Sequence, residues 1–116
     1  MKIAVAVEKN NVSGHFGFCE GFLVFDVEDN KIVNKNLLQN PGHKPGVLPK
    51  YLSENKINVI IAGGMGGSAQ DLFKQNGIEV VVGVTGDVDA AVTNYISGSL
   101  KSTGSVCHEH VNEENC

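Results

Sequence analysis

Histidine and cysteine side chains stand close together near the start of this chain. His15 and Cys19 are separated by three residues, and Gly14 and Gly17 lie beside and between them. Neutral imidazole and thiolate are suitable ligands for iron, copper and other borderline or soft metals, and glycines let a bulky ligand approach the backbone. His15 and Cys19 are therefore candidate metal ligands. The alternative is a solvated loop histidine beside a buried, inert cysteine.

The C-terminal segment holds a second group of the same side chains. Cys107, His108, His110 and Cys116 lie within its last ten residues. Their spacing does not match the paired C-x-x-C arrangement of zinc fingers, so the spacing alone does not define a zinc site. We predict that Cys107, His108 and His110 are auxiliary metal ligands. A terminal segment without a ligand role is the alternative.

A glycine-rich stretch at residues 63–67 lies between a predicted strand and a predicted helix. Its backbone N–H groups are unobstructed by side chains and lie next to a helix N-terminus, an arrangement that favours an anionic ligand. We therefore predict that Gly64, Met65 and Gly66 contact a bound cofactor. For Met65, packing in the core is an equally good interpretation.

The same stretch supports a second interpretation. Residues 64–69 fit the pattern G-x-G-x-x-A, and Asp87 follows the next predicted strand, where dinucleotide-binding proteins hold the ribose. The alternative function is therefore a nucleotide-binding module that uses residues 63–67. The chain ends after one more predicted helix, so the second nucleotide-binding half is missing and NAD binding is disfavoured. Glycines that only permit a tight turn are a further alternative.

Hydrophobic periodicity predicts the elements that position these residues. Alternating or continuous apolar runs indicate five strands, and apolar residues at helical spacing indicate three helices between and after the later strands. The runs are residues 3–7, 22–27, 32–38, 59–62 and 80–84, and the helices begin near residues 47, 68 and 88. The order β-β-β-α-β-α-β-α predicts an α/β fold with a mixed five-stranded sheet flanked by helices, in a ribonuclease-H-like layout.

Ligands of open α/β sheets collect beyond the carboxyl ends of the parallel strands. If the first strand is parallel to the two later ones, residues 8–21, 63–67 and 85–87 meet at that edge of the sheet. We therefore expect the segment around His15 and the glycine-rich stretch to form one site.

Composition limits the classes of function. The 116 residues suit one domain, 41% of them are hydrophobic, and the formal net charge is −4. The chain has no run of Lys and Arg of the kind that would indicate a nucleic-acid partner. It also has no apolar run close to the roughly 20 residues that span a membrane. We expect a cytoplasmic protein whose cysteines are thiols or ligands rather than disulfides. We also expect a domain over residues 1–100 and a Cys/His-containing tail over residues 101–116.

Several motifs together resemble the dinitrogenase iron–molybdenum cofactor biosynthesis family of the NifX/NafY type. They are the strand at residues 3–7, Ser-Gly-His-Phe-Gly at residues 13–17, Gly-Gly-Met-Gly at residues 63–66, and glycine-bearing segments near residues 77, 83 and 98. The resemblance covers residues 1–100. It implies a ribonuclease-H-like fold that binds or carries iron–sulfur or iron–molybdenum clusters, and it assigns cluster binding to His15. On this basis we predict His15 as the principal ligand and Cys19 as its nearest helper.

The resemblance also implies a carrier rather than an enzyme. Its cargo is an iron–sulfur or iron–molybdenum–sulfur cluster or a precursor, and its partners are cluster-assembly or recipient proteins. A ribonuclease-H-like fold also suggests a nuclease, but that catalysis needs clustered carboxylates that hold two divalent ions. Here the first strand has no carboxylate in its interior, and only Glu8 follows it. Nuclease activity is therefore disfavoured.

Overall fold

The computed structural model describes residues 1–14, 16, 19–40 and 47–98. Six strands and three helices follow one another as β1 (Lys2–Glu8), β2 (Asn11–Val12), β3 (Gly21–Glu28), β4 (Lys31–Gln39), α1 (Val47–Glu54), β5 (Val59–Ile61), α2 (Gly67–Gln75), β6 (Glu79–Val81) and α3 (Val88–Ile96). The predicted α/β class and the mixed sheet flanked by helices are confirmed.

The strands form one sheet in the order β4-β3-β1-β5-β6, with β2 paired to β1. β1 runs antiparallel to β3 and parallel to β5, which in turn runs parallel to β6. β4 lies at one edge, antiparallel to β3. This topology brings the carboxyl ends of β1, β5 and β6 to the same edge of the sheet, as the sequence predicts.

The prediction of five strands is wrong, because β2 is a sixth. Val12 of β2 pairs with Val7, across a turn in which Lys9 and Asn10 both have positive φ. Two residues are too few to show a hydrophobic period, so sequence patterning cannot indicate such a strand. β2 is relevant to the site because it turns the chain back towards the end of β1.

β1 is buried on both faces, and its two faces differ in side-chain size. Ile3 and Val5 lie in the hydrophobic cluster that includes residues of α3. Ala4 and Ala6 lie in the opposite cluster, which holds the phenylalanine rings at positions 16, 22 and 73. Because protein interiors are close-packed, the small side chains on this face match the large rings that pack there.

The glycine and proline signals at three helix ends agree with the structure. Gly77 and Gly98 have φ of +73° and +82° and follow the C-caps of α2 and α3, a conformation that glycine adopts without strain. Pro49 lies in the first turn of α1, where its missing N–H is not needed. Within the ranges that the structure describes, no helix has the length and apolarity to cross a membrane.

The predicted division into residues 1–100 and 101–116 lies at the edge of the described chain. α3 ends at Ile96, and residues 99–116 are outside the described residues. The division therefore stays a prediction.

Candidate functional site

Three loops meet at the carboxyl ends of β1, β5 and β6, and backbone hydrogen bonds join them. The N–H of Gly63 donates to the carbonyl of Ser13 at 2.8 Å, and the N–H of Gly83 donates to the carbonyl of Gly63 at 2.9 Å. The N–H of Val12 donates to the carbonyl of Gly86 at 2.8 Å. The predicted convergence of these loops is confirmed, and the peptide unit of Gly63 lies at its centre.

Phe16 anchors the first loop to the domain. Its N–H donates to the carbonyl of Gly64 at 3.0 Å. Its ring is only 2% exposed and lies 5.6 Å from the ring of Phe22 and 5.2 Å from that of Phe73, the latter edge-on. Such aromatic contacts contribute to stability beyond the apolar area that they bury. The loop is therefore fixed to the hydrophobic core at this residue.

His15, the principal predicted ligand, lies outside the described residues, but both of its chain neighbours are described. A Cβ atom added at Gly63 would lie 2.8 Å from the Cα of Gly14. The N–H of Phe16 donates a hydrogen bond to the carbonyl of Gly64. The residues on either side of His15 thus contact the first two glycines of the glycine-rich stretch.

The backbone of residues 13 and 14 lies so close to Gly63 that a larger residue there should destabilise the fold. A Cβ there would also lie 2.8 Å from the carbonyl oxygen of Ser13, and neither contact is with a flexible side chain. We expect Gly63→Ala to lower the free energy of unfolding by about 1–3 kcal/mol, the usual cost of overpacking. Chemical denaturation measures it.

Gly67→Ala is the matched control for that variant, because a Cβ there meets no atom within 4 Å. Gly67 is the first residue of α2, so alanine should leave stability unchanged or raise it by about 0.5–1 kcal/mol. Equal destabilisation by both substitutions would contradict the assignment of Gly63 as a steric contact between the two loops.

Cys19, the predicted helper, is buried and only 4% exposed. The side-chain amide of Asn40 donates to its carbonyl oxygen at 2.9 Å and lies 3.8 Å from its Sγ. Burial raises the pKa of Cys19 to about 11, and hydrogen bonds from the backbone and from Asn40 offset only part of this effect. The thiol is therefore neutral at pH 7, and metal binding would require it to leave the core and lose its proton.

Cys19 should give the folded protein a pH-dependent stability. Its pKa is raised by folding from 9.0 to about 11, so the folded state keeps a proton that the unfolded state loses. The contribution is complete below about pH 9 and is lost as the pH rises towards 11. Urea unfolding between these values should show stability falling more steeply for the wild type than for Cys19→Ala. The pKa of Tyr95, raised to about 12 by burial and by Glu79, is common to both proteins. Parallel pH profiles would contradict this origin.

The glycine-rich stretch is held firmly by the core. Gly64, Met65 and Gly66 are all buried, and the Met65 side chain packs in the cluster that contains Phe16. Gln70, itself buried, donates from Nε2 to the carbonyl of Met65 at 3.0 Å. The thioether of Met65 is therefore a core group in this structure, and the predicted contact of Gly64, Met65 and Gly66 with a cofactor stays a prediction.

The N-terminus of α2 lies directly after this stretch. Gly66 is the N-cap, and no side chain caps the helix. Ser68, in the first turn, is exposed. The first N–H groups of a helix have no partner within the helix, and they favour an anion. This end of α2 can therefore stabilise a negatively charged group placed at the loop edge.

Asp87, the predicted ribose-binding acid of the nucleotide interpretation, has a structural contact. It is the N-cap of α3, and its carboxylate accepts a hydrogen bond from the N–H of Ala90 at 3.0 Å. Its backbone also forms a bridge with Asn11. Helix capping by aspartate is common and stabilising, so the position of Asp87 needs no nucleotide to explain it.

Two polar residues of this region carry contacts that sequence reasoning missed. Gln70 bonds the glycine-rich stretch, and Asn40 bonds Cys19 from the end of β4. Gln70 had a usable signal, because it lies between Ala69 and Phe73 on the buried stripe of α2, where a polar side chain needs a partner. Asn40 follows a strand with no local pattern that indicates its partner.

The donor set of the described residues suits an anion better than a bare metal ion. Among them, no group of three or more His, Cys, Asp or Glu side chains is arranged to hold a metal. His15 and the predicted auxiliary ligands Cys107, His108 and His110 are outside the described residues. The described part therefore offers backbone N–H donors at the start of α2, and ligation by these four side chains stays a prediction.

Comparison with known proteins gives a consistent result. A family described as dinitrogenase iron-molybdenum cofactor matches residues 1–98. An uncharacterised protein of Methanocaldococcus jannaschii is 34% identical over 106 residues, covering 87% of this chain and 90% of that protein. The crystal structure of a protein named PH0822 is 30% identical, with a TM-score of 0.82 over 90% of this chain and 96% of the other. The apo orange protein from Desulfovibrio gigas shares the fold at 23% identity and a TM-score of 0.77, over 90% and 93% of the two chains.

Proposed function

Because this chain belongs to the dinitrogenase iron-molybdenum cofactor family, we propose that it binds and carries a metal–sulfur cluster or its precursor without catalysing a reaction. The observation that supports this proposal most directly is the contact between the two loops. Gly14 and Phe16, on either side of His15, lie against Gly63 and Gly64. A ligand held by His15 would then lie near the glycine backbone.

The two loops would contribute in different ways. His15 is the principal protein ligand, since neutral imidazole binds iron directly. Sulfide clusters are commonly anionic, and N–H donors at the start of α2 can balance that charge. Gly64 and Gly66 are buried in the ligand-free chain, but they carry no side chain that would obstruct a ligand, and Met65 supports them from the core. The thiol of Cys19 becomes a helper only in a conformation in which the loop opens.

The cargo is an iron–sulfur or iron–molybdenum–sulfur cluster, and the partners are proteins that assemble or receive it. Cys107, His108 and His110 are auxiliary ligands in this proposal. A cytoplasmic location and a ribonuclease-H-like fold belong to it as well. Across the sheet, β4, β3 and β1 are antiparallel to their neighbours, and β5 and β6 then follow parallel to β1. This strand order supports the fold assignment. Nuclease activity is not proposed, because the interior of β1, KIAVAVE, has no carboxylate.

Anaerobic reconstitution tests the function. The purified chain of 116 residues is incubated with iron, sulfide and molybdate, desalted, and analysed for bound metals and for visible absorption. We expect metal in constant proportion to protein and charge-transfer bands in the visible spectrum. Protein that emerges without stoichiometric metal, and that instead binds a nucleotide tightly in equilibrium dialysis, would favour the nucleotide-binding alternative.

A further inference from the structure

β4 is the longest of the described strands, and it lies at an edge of the sheet where no other described strand pairs with it. Eight of its nine residues are exposed, and Leu38 is half-buried. Of the four exposed large apolar side chains in the described part, three are on β4: Ile32 at 40%, Val33 at 56% and Leu37 at 61%. An exposed strand edge with apolar side chains is a template for pairing with another strand. The opposite edge, β6, has only three residues.

A β-bulge determines which side chains of β4 share a face. Asn34 lies opposite Asp26, but Ile32 lies opposite Val27, so Val33 is the extra residue. Beyond the bulge the pairing is regular, and the side chains alternate. Ile32, Lys35 and Leu37 therefore face the side of the sheet that α3 covers, and Asn34, Asn36 and Leu38 face the other side.

We propose that β4 pairs antiparallel with β4 of a second copy of this chain, about a two-fold axis at Lys35. Val33, the extra residue of the bulge, has no partner in this pairing. Ile32 then lies opposite Leu37 of the second copy, and Leu37 lies opposite Ile32 of the second copy. Asn34 lies opposite Asn36 in the same way. The strand is thus complementary to itself: apolar side chains meet apolar ones on the face of α3, and amides meet amides on the other face.

Lys35 is the one position where like charges meet across the axis. Its ammonium group is already 3.2 Å from the carboxylate of Asp89 and 5.4 Å from the centre of the Phe25 ring. These contacts reduce the repulsion between the two lysines, which would otherwise oppose the pairing. A two-fold contact is also closed, because each copy uses the same strand and no free β4 edge remains for further addition.

The size of the contact predicts a reversible dimer. One pair of short strands buries less than the roughly 1,200 Å² that a stable interface needs. An open groove of about 580 Å³ lies beside Ile32, next to the position that Leu37 of the second copy takes in this pairing. It is lined by Asn30, Lys31, Ile32, Thr93, Ile96 and Ser97. Association should therefore depend on protein concentration.

Sedimentation equilibrium of the chain of 116 residues, from about 1 μM to about 1 mM, tests the association itself. We expect a monomer–dimer equilibrium without higher species. Leu37→Glu places a charge opposite Ile32 at two symmetric positions, and we expect it to raise the dissociation constant roughly tenfold. A wild-type chain that remains monomeric over this range would overturn the proposal. Binding of an unrelated extended peptide by a monomeric chain would also overturn it, because the partner of β4 would then not be a second copy.

Disulfide trapping tests the register. In a chain with Cys107 and Cys116 replaced by serine, Lys35→Cys places two thiols directly across the axis, at about 4.5–5.5 Å between Cα atoms. It should form a covalent dimer on mild oxidation. In Leu37→Cys, the matched control, the two thiols are about 14 Å apart along the strands and should not join, whereas a mixture of Ile32→Cys and Leu37→Cys chains should. Equal cross-linking of both single variants would overturn the two-fold register.

Discussion

His15→Ala is expected to abolish retention of a reconstituted cluster on a desalting column. The change removes the principal ligand of the proposed site, and losses of 10–100-fold follow even when only a supporting residue of a metal site is changed. We therefore expect affinity to fall by at least about 100-fold. Metal content and visible absorption after desalting measure the effect, with wild-type protein reconstituted in parallel.

The fold should be unaffected by the same change, which separates loss of a ligand from loss of structure. His43→Ala is the matched control, because His43 has no assigned ligand role and its replacement should leave retention unchanged. A ligating imidazole must be neutral, so wild-type binding should also weaken below roughly pH 6.5. Retention by His15→Ala equal to that of wild type would refute the central assignment while leaving the family membership intact.

Phe16→Ala should produce the largest loss of stability of any single change in the site loop. The ring is buried between Phe22 and Phe73, and its removal leaves a cavity that the surrounding strands and α2 cannot easily fill. We expect the free energy of unfolding to fall by about 3–5 kcal/mol. Thermal and urea denaturation of the metal-free protein measure it.

Phe16→Leu keeps most of the buried volume and should cost clearly less than Phe16→Ala, which distinguishes a packing role from an effect on the backbone. The N–H that donates to the carbonyl of Gly64 belongs to the backbone, so the substitution does not remove it. Cluster retention by Phe16→Leu should therefore remain close to that of wild type. A metal-free Phe16→Ala protein as stable as wild type would show that the loop is not anchored by this ring.

Much of the architecture is determined by local sequence signals. The alternation in β1, the apolar runs of β5 and β6 and the helical spacing in α3 each depend on residues a few positions apart. Gly77 and Gly98 end α2 and α3 for a reason confined to their own φ angles. The convergence of the three loops also follows from sequence, because parallel strands joined by helices must end at one edge of the sheet.

Other features depend on residues distant in sequence, and only the tertiary structure determined them. Cys19 packs in the core cluster with Phe16 and Phe22, and it accepts a hydrogen bond from Asn40, which lies 21 positions away. A sequence motif therefore cannot distinguish an exposed ligand from a packed thiol. The need for glycine at position 63 arises from contact with residues 13 and 14. β2 and the bulge at Val33 depend on their partner strands. Side-chain environment is produced by packing between elements, whereas periodicity reports only which face of each element is apolar.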